Sequence, residues 1–191
     1  ATFIGCSFEA RNDGVGLVAK NDAHLYVRES MVASAPGGGI ELDTPFFQIS
    51  NVVITNSGTG GGSGSNFGGI YVKSTPDQFS WIRHGTLVGN DAADGEPTQV
   101  RCDVAATLDY AIVRGSAPTV NGACTFRQSN VEGGAGGSNV IVADPLFVSA
   151  TDLHLDVGSP CIDTAFSSAE RRDFDGRVRN GARDMGAFEA Q

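Results

Sequence analysis

The chain has 191 residues, and its 22 acidic against 13 basic side chains give a formal net charge of −9, which disfavours a phosphate backbone or an anionic membrane surface as partner. An apolar fraction of 40% beside 26 glycines points to a folded chain rich in turns, long enough for one domain with a sizeable core. The longest apolar run, Phe46 to Ile54, is broken by Gln48, Ser50 and Asn51 and is too short to span a bilayer, so neither nucleic acid binding nor a membrane span is expected.

The first segment, Thr2 to Phe8, is strand-like and begins with no cap or leader, which reads as the later part of a longer chain. Within it FIGCSFEAR, from Phe3, is the weakest copy of a repeat. VRESMVASA from Val27, ISNVVITNS from Ile49, IRHGTLVGN from Ile82 and LDYAIVRGS from Leu108 are the stronger copies, and counted from Phe3 the five starts lie 24, 22, 33 and 26 residues apart. That period equals one coil of a stacked-strand solenoid. The surplus in the 33-residue interval falls in SGTGGGSGSNF, whose composition suits an extruded turn. A second strand follows each early copy: GLVAK from Gly16, GIELD from Gly39, GIYVK from Gly69 and QVRCD from Gln99.

These segments alternate with a period of two, so their register can be written down. Leu17, Ile40, Ile70 and Val100 should form one inward row, and Ala19, Leu42, Val72 and Cys102 another. Outward, Lys20, Asp43, Lys73 and Asp103 should form a row of alternating sign. Exposed pairs of this kind are worth ~0.2–1 kcal/mol each and read as a structural ladder. From about Ala117 the pattern degrades into a more polar tail, in which Phe147, Leu153, Leu155, Ile162, Phe166, Met185 and Phe188 would plug the last coil. The expected fold class is all-β: a single-stranded right-handed parallel β-helix of about five coils with a C-terminal cap. Residues 1–128 would hold the coils and 129–191 the last coil and capping tail, in one domain.

Five tail motifs occur in order: SNVEGG, ADPLFV, LHL followed by GSPCID, RRDFDG and ARDMGAFE. On them the chain resembles bacterial right-handed β-helix repeat proteins, closely over Ser129 to Glu189 and loosely over the repeats. The resemblance implies a pectin-lyase-like superfold, export, a secreted or cell-surface setting and a tail of the choice-of-anchor type. It implies no one activity, because such a scaffold carries lyases, hydrolases, adhesins and inert stalks alike.

Chemistry must therefore come from particular residues. Hydrolysis of a polysaccharide needs two carboxylates in one cleft, and lyase chemistry a base with a charge-neutralising cation. His84-Gly85 matches one element of a polygalacturonase site, but the carboxylate motifs are missing and His84 falls at the bend position taken by Glu29, Asn51 and Tyr110 in the other copies. No catalytic residue is assigned. Outward rows holding Arg28, Ser50, Arg83, Asp109 and Arg127, and Glu41, Tyr71 and Arg101, offer arginine and tyrosine to a glycan. Tyr71, Trp81, Arg83 and Arg101 are the candidate binding residues, although Trp81 could instead cover a coil junction. Asp173 and Asp175 form a D-x-D-G string like the start of a calcium loop, with Arg171, Arg172 and Arg177 as competing partners and no glutamate at EF-hand distance. No other cofactor is indicated. Cys102 and Cys124 lie about one coil apart and are either a disulfide or two core thiols, while Cys6 and Cys161 read as core. The expected function is a non-catalytic extracellular or cell-surface module that binds carbohydrate or acts as an adhesin. The alternative is a polysaccharide lyase or glycoside hydrolase on acidic glycans, with its cleft partly in missing N-terminal coils.

Overall fold

The computed structural model describes residues 1–59, 66–93 and 96–190, so residues 60–65 of the expected turn SGTGGGSGSNF lie outside the described residues. Among the described residues there are twelve strands and no helix. They are β1 (Thr2–Ile4), β2 (Ser7–Phe8), β3 (Leu17–Lys20), β4 (Leu25–Ala33), β5 (Ile40–Asp43), β6 (Phe47–Thr55), β7 (Ile70–Val72), β8 (Trp81–Val88), β9 (Val100–Asp109), β10 (Ile112–Arg114), β11 (Val120–Val131) and β12 (Gly137–Ile141).

All pairings between these strands are parallel, and they build one sheet along the path β1-β4-β6-β8-β10-β11-β9-β7-β5-β3. Strand β2 adds to β4 and β12 to β11. A further pairing, Ile82↔Leu108 and Arg83↔Asp109, joins β8 to β9, so that β8, β10, β11 and β9 close a four-strand parallel ring with two arms running from it. This corrects the expected right-handed parallel β-helix of five separate coils. Two local features account for the difference. Strand β9 runs unbroken from Val100 to Asp109, where the repeat places two strands and a turn, and β11 runs unbroken beside it from Val120 to Val131. A left-handed residue, Tyr110 at φ 59°, then bends the chain after β9, and β9 and β10 both lie between β8 and β11.

The register within the arms follows the period-two alternation. Leu17, Ile40, Ile70 and Val100 are successive partners, as are Ala19, Leu42, Val72 and Cys102, and the side chains of the second row are buried. On the other arm Phe3, Val27, Ile49, Ile82 and Leu108 stack in turn. Removing such aliphatic side chains from water contributes roughly 1.5–3 kcal/mol each, an upper bound because the unfolded chain is already partly compact. The backbones approach closely where the strands begin. A Cβ at Gly39 would lie 2.4 Å from the Gly69 carbonyl oxygen, and one at Gly69 2.4 Å from that of Gln99, so both positions require glycine.

Glu29, Asn51, His84, Tyr110 and Gln128 all have φ between 45° and 59°, an uncommon conformation for residues with a side chain. This column of bends turns the strands, and the tail packs against it. Leu155, Cys161 and Met185 gather on Ile112, with Ile141, Phe147 and Ile162 beside them. Ala187 and Phe188 cover Val53, with Met31, Leu153 and Phe174 alongside. Phe166, expected in the plug, is 66% exposed.

Candidate ligand-binding face

Strands β4, β6, β8, β9 and β11 each present two outward side chains flanking the inward row of Val27, Ile49, Ile82, Leu108 and Phe126. Tyr26, Gln48 and Trp81 are successive partners in one outward row, which Thr107 and Thr125 continue. Arg28, Ser50, Arg83, Asp109 and Arg127 form the other. At the strand spacing of about 4.8 Å, five strands make a ridged face roughly 19 Å long.

A wall rises along this face from the segment before β8. Its shape is held by Asp77, whose Oδ1 accepts from the Phe79 N–H at 3.0 Å and the Ser80 hydroxyl at 2.7 Å. Ser80 Oγ in turn accepts from the Phe47 N–H at 2.9 Å, and Gln48 Nε2 donates to the Phe79 carbonyl at 3.2 Å. Two clefts result, and they share Phe47 and Ser80. One, about 480 Å³, is aromatic, lined by His24 stacked on Phe46 at 4.3 Å, by Tyr26 and by the exposed ring of Phe79. The other, about 380 Å³, is ionic and is lined by Trp81, Arg83, Thr107, Asp109, Thr125 and Arg127.

Asp109 anchors the ionic cleft. Its side chain is almost fully buried and takes both donors of Arg127, Nε at 2.7 Å and Nη2 at 2.6 Å. That bond to Asp109 is the main reason the Arg127 pKa is raised. Arg83 Nε stands 3.8 Å from Asp109 Oδ2, an ion-pair distance too long for a hydrogen bond. The Arg83 guanidinium lies 4.8 Å from the centroid of the Trp81 ring, and that of Arg28 5.7 Å from it. Thr107 and Thr125 join hydroxyls at 2.9 Å beside them.

The four candidate binding residues are thus divided. Trp81 and Arg83 line the cleft, whereas Tyr71 and Arg101 lie on the opposite arm in a row with Glu41. Tyr71 is buried, donates its hydroxyl to Asp103, and carries Arg101 on its ring at 4.8 Å and Lys73 at 5.6 Å. Burial first, and the bond to Asp103 second, push its pKa up to about 12. Arg101 also binds Glu96 at 2.9 Å and Asp103 at 3.1 Å. Lys20 pairs with Glu41 at 3.7 Å instead of Asp43, while Lys73 reaches Glu41 at 3.3 Å and Asp43 at 3.6 Å.

Asp173 is fully buried and accepts two backbone N–H groups, those of Arg177 at 2.7 Å and Glu189 at 3.1 Å. Asp175 instead meets His154 at 2.8 Å and the Arg177 guanidinium at 3.6 Å, so the two carboxylates of the D-x-D string are taken up by different protein groups and share only Arg177, Asp173 through its backbone N–H and Asp175 through its side chain. Cys102 and Cys124 are joined as a disulfide; Cys161 is a buried thiol and Cys6 a half-buried one.

His84 holds the tail. Its Nδ1 lies 3.2 Å from the Gly186 carbonyl, which can only accept, so the neutral ring donates there and its Nε2 accepts from the Ser168 hydroxyl. Burial, then the nearby Arg179 charge, hold its pKa well below the usual histidine value. His154 runs the other way: burial opposes its charge, but Asp152 and Asp175 outweigh it and raise the pKa. A histidine whose folded pKa is depressed loses stability as pH falls below its unfolded value of about 6.5, by up to about 1.4 kcal/mol per pH unit. One whose folded pKa is raised contributes fully below about 6.5 and loses that contribution as pH rises through the higher folded value. Stability is therefore expected to peak near neutrality. In melting curves from pH 5 to 8, His84→Asn should flatten the acid limb and Asp175→Asn the alkaline one; an unchanged acid limb in His84→Asn would exclude His84 as its source.

No protein-family model, curated protein or solved structure matches the chain.

Proposed function

We propose that this chain is a non-catalytic carbohydrate-binding module, secreted or held at a cell surface, and that an extended glycan lies along the face of β4, β6, β8, β9 and β11. The observation that carries this reading is the pair of adjoining clefts, one aromatic and one ionic, on a single run of strands. Sugar rings have apolar faces that stack on indole and phenyl rings, and hydroxyls that pair with threonine, glutamine and guanidinium groups. Phe79, Tyr26 and Trp81 supply the first kind of contact, and Gln48, Thr107, Thr125 and Arg127 the second. The disulfide fits an oxidising compartment, and the reading also draws on the resemblance of the tail motifs to those of exported β-helix repeat proteins.

Binding of the purified chain to a glycan array, followed by titration calorimetry on the ligands found, tests the proposal. Trp81→Ala is expected to weaken binding at least tenfold, about 1.4 kcal/mol, and Phe79→Ala by a smaller factor. An array without signal would overturn the reading. Release of reducing ends or unsaturated sugars from a bound glycan would replace it with the catalytic alternative.

A further inference from the structure

Two polar atoms on this face are buried without a hydrogen-bond partner among the described residues, Ser50 Oγ and Arg83 Nε. They belong to neighbouring strands and are direct partners in the outward row, with Arg28 the next residue along it. Leaving such groups unsatisfied costs stability, and natural structures keep the arrangement where something else supplies the partner. What would satisfy both atoms here is an acceptor, since Arg83 can only donate and the Ser50 hydroxyl can donate as well.

Charge points the same way. Asp109 is already neutralised by the two-pronged bond from Arg127, so Arg83 holds a charge that no carboxylate in the cleft hydrogen-bonds at that nitrogen. Arg28 and Arg83 both approach the ring of Trp81. Within a chain of net charge −9, this places three arginines against one carboxylate along a single row of side chains. A neutral sugar would stack on Trp81 and could offer hydroxyl oxygens to both donors, but only an anionic group would also balance the charge of Arg28 and Arg83.

We propose that Arg28, Ser50 and Arg83 form a subsite for one anionic group of the bound glycan, a uronate carboxylate or a sulfate ester, with the sugar ring stacked on Trp81. The proposal rests on the glycan-binding reading. Both atoms are closed to solvent in the free chain, so neighbouring side chains must shift as the anion enters; it then accepts from Arg83 Nε and Ser50 Oγ, with Arg28 on the far side and the Arg127–Asp109 pair intact beside it.

Titration calorimetry with three probes tests this: a galacturonate oligomer, its carboxyl-reduced neutral counterpart, and a sulfated oligomer of the same backbone. The native chain should bind one of the two anionic probes about tenfold or more tighter than the neutral one, and which of them wins distinguishes carboxylate from sulfate. Arg83→Gln and Ser50→Ala should each reduce that preference, read as the ratio of anionic to neutral affinity within each variant. Lys20→Gln, the same charge change as Arg83→Gln at an exposed site on the other arm, should leave it intact. Melting curves confirm that each variant is folded, and Ser50→Ala supplies a second route should Arg83→Gln fail to fold. Equal binding of all three probes, all weakened by Trp81→Ala, would overturn the subsite and leave the glycan reading standing; no binding of any probe, with an empty glycan array, would overturn both.

Discussion

Replacing Arg179 with alanine is expected to lower the unfolding free energy by about 3–5 kcal/mol, the cost typical of breaking a buried ion pair from one side. Its guanidinium is wholly buried. Nη1 donates to Glu189 Oε2 at 2.9 Å, and Nη2 to the carbonyls of Gly186 and Ala187 at 2.9 Å and to Asn51 Oδ1 at 3.1 Å. Nε donates to the Arg172 carbonyl at 3.2 Å. Burial draws its pKa down, while Glu189 and Asp173 hold it up. One side chain therefore stitches two stretches of the tail to each other and to β6. Truncation strands a carboxylate whose pKa burial already raises, together with several carbonyls. Arg179→Lys should recover only part of the loss, because an ammonium cannot reach five acceptors in a plane. Urea unfolding measures it; a loss under about 1 kcal/mol would mean that the tail is held chiefly by the apolar contacts of Phe188 and Met185.

Reduction of the Cys102–Cys124 disulfide is expected to cost about 3 kcal/mol, since the bond closes a 22-residue loop and removes that freedom from the unfolded chain. The two cysteines join β9 to β11 at the register shift between Gly122 and Cys124, so the bridge spans the point where the ladder of backbone bonds is interrupted. Reduction leaves both sulfur atoms in the core, which separates the effect of the bond from that of side-chain volume. A melting temperature that does not fall in a phosphine reductant, with two additional thiols confirmed by titration, would show that the local packing does the work instead.

The stacking rows are legible in the amino-acid sequence because parallel strands bury one side chain in two, and a period between 22 and 33 residues then names the partners. Val27, Ile49, Ile82 and Leu108 meet as that arithmetic requires. Closure of the ring is not legible. It depends on β9 running through Val104 to Ala106 without a turn, where no glycine or proline marks the difference between one strand and two. The binding candidates divide for a related reason: Trp81 and Tyr71 look equivalent by residue type, yet they lie on different arms of the sheet, and only the fold tells them apart. His24, Tyr26, Phe46 and Phe79 complete the face without being foreseen, and the one available signal was the cluster of aromatics either side of the wall. Arg179 had no signal at all, since it sits among four other arginines between 171 and 183 and only its burial distinguishes it.

The tail on its column of bends has a mechanical consequence. It is tied to Asn51 on β6, to His84 and Thr86 on β8, to Tyr110 after β9 and to Gln128 on β11. A load applied at the C-terminus is therefore shared among these strands at once, instead of peeling the outermost one from its neighbour. The direction of pull then sets the resistance: tension along the tail shears many contacts together, whereas tension on β1 at the opposite edge parts one ladder at a time.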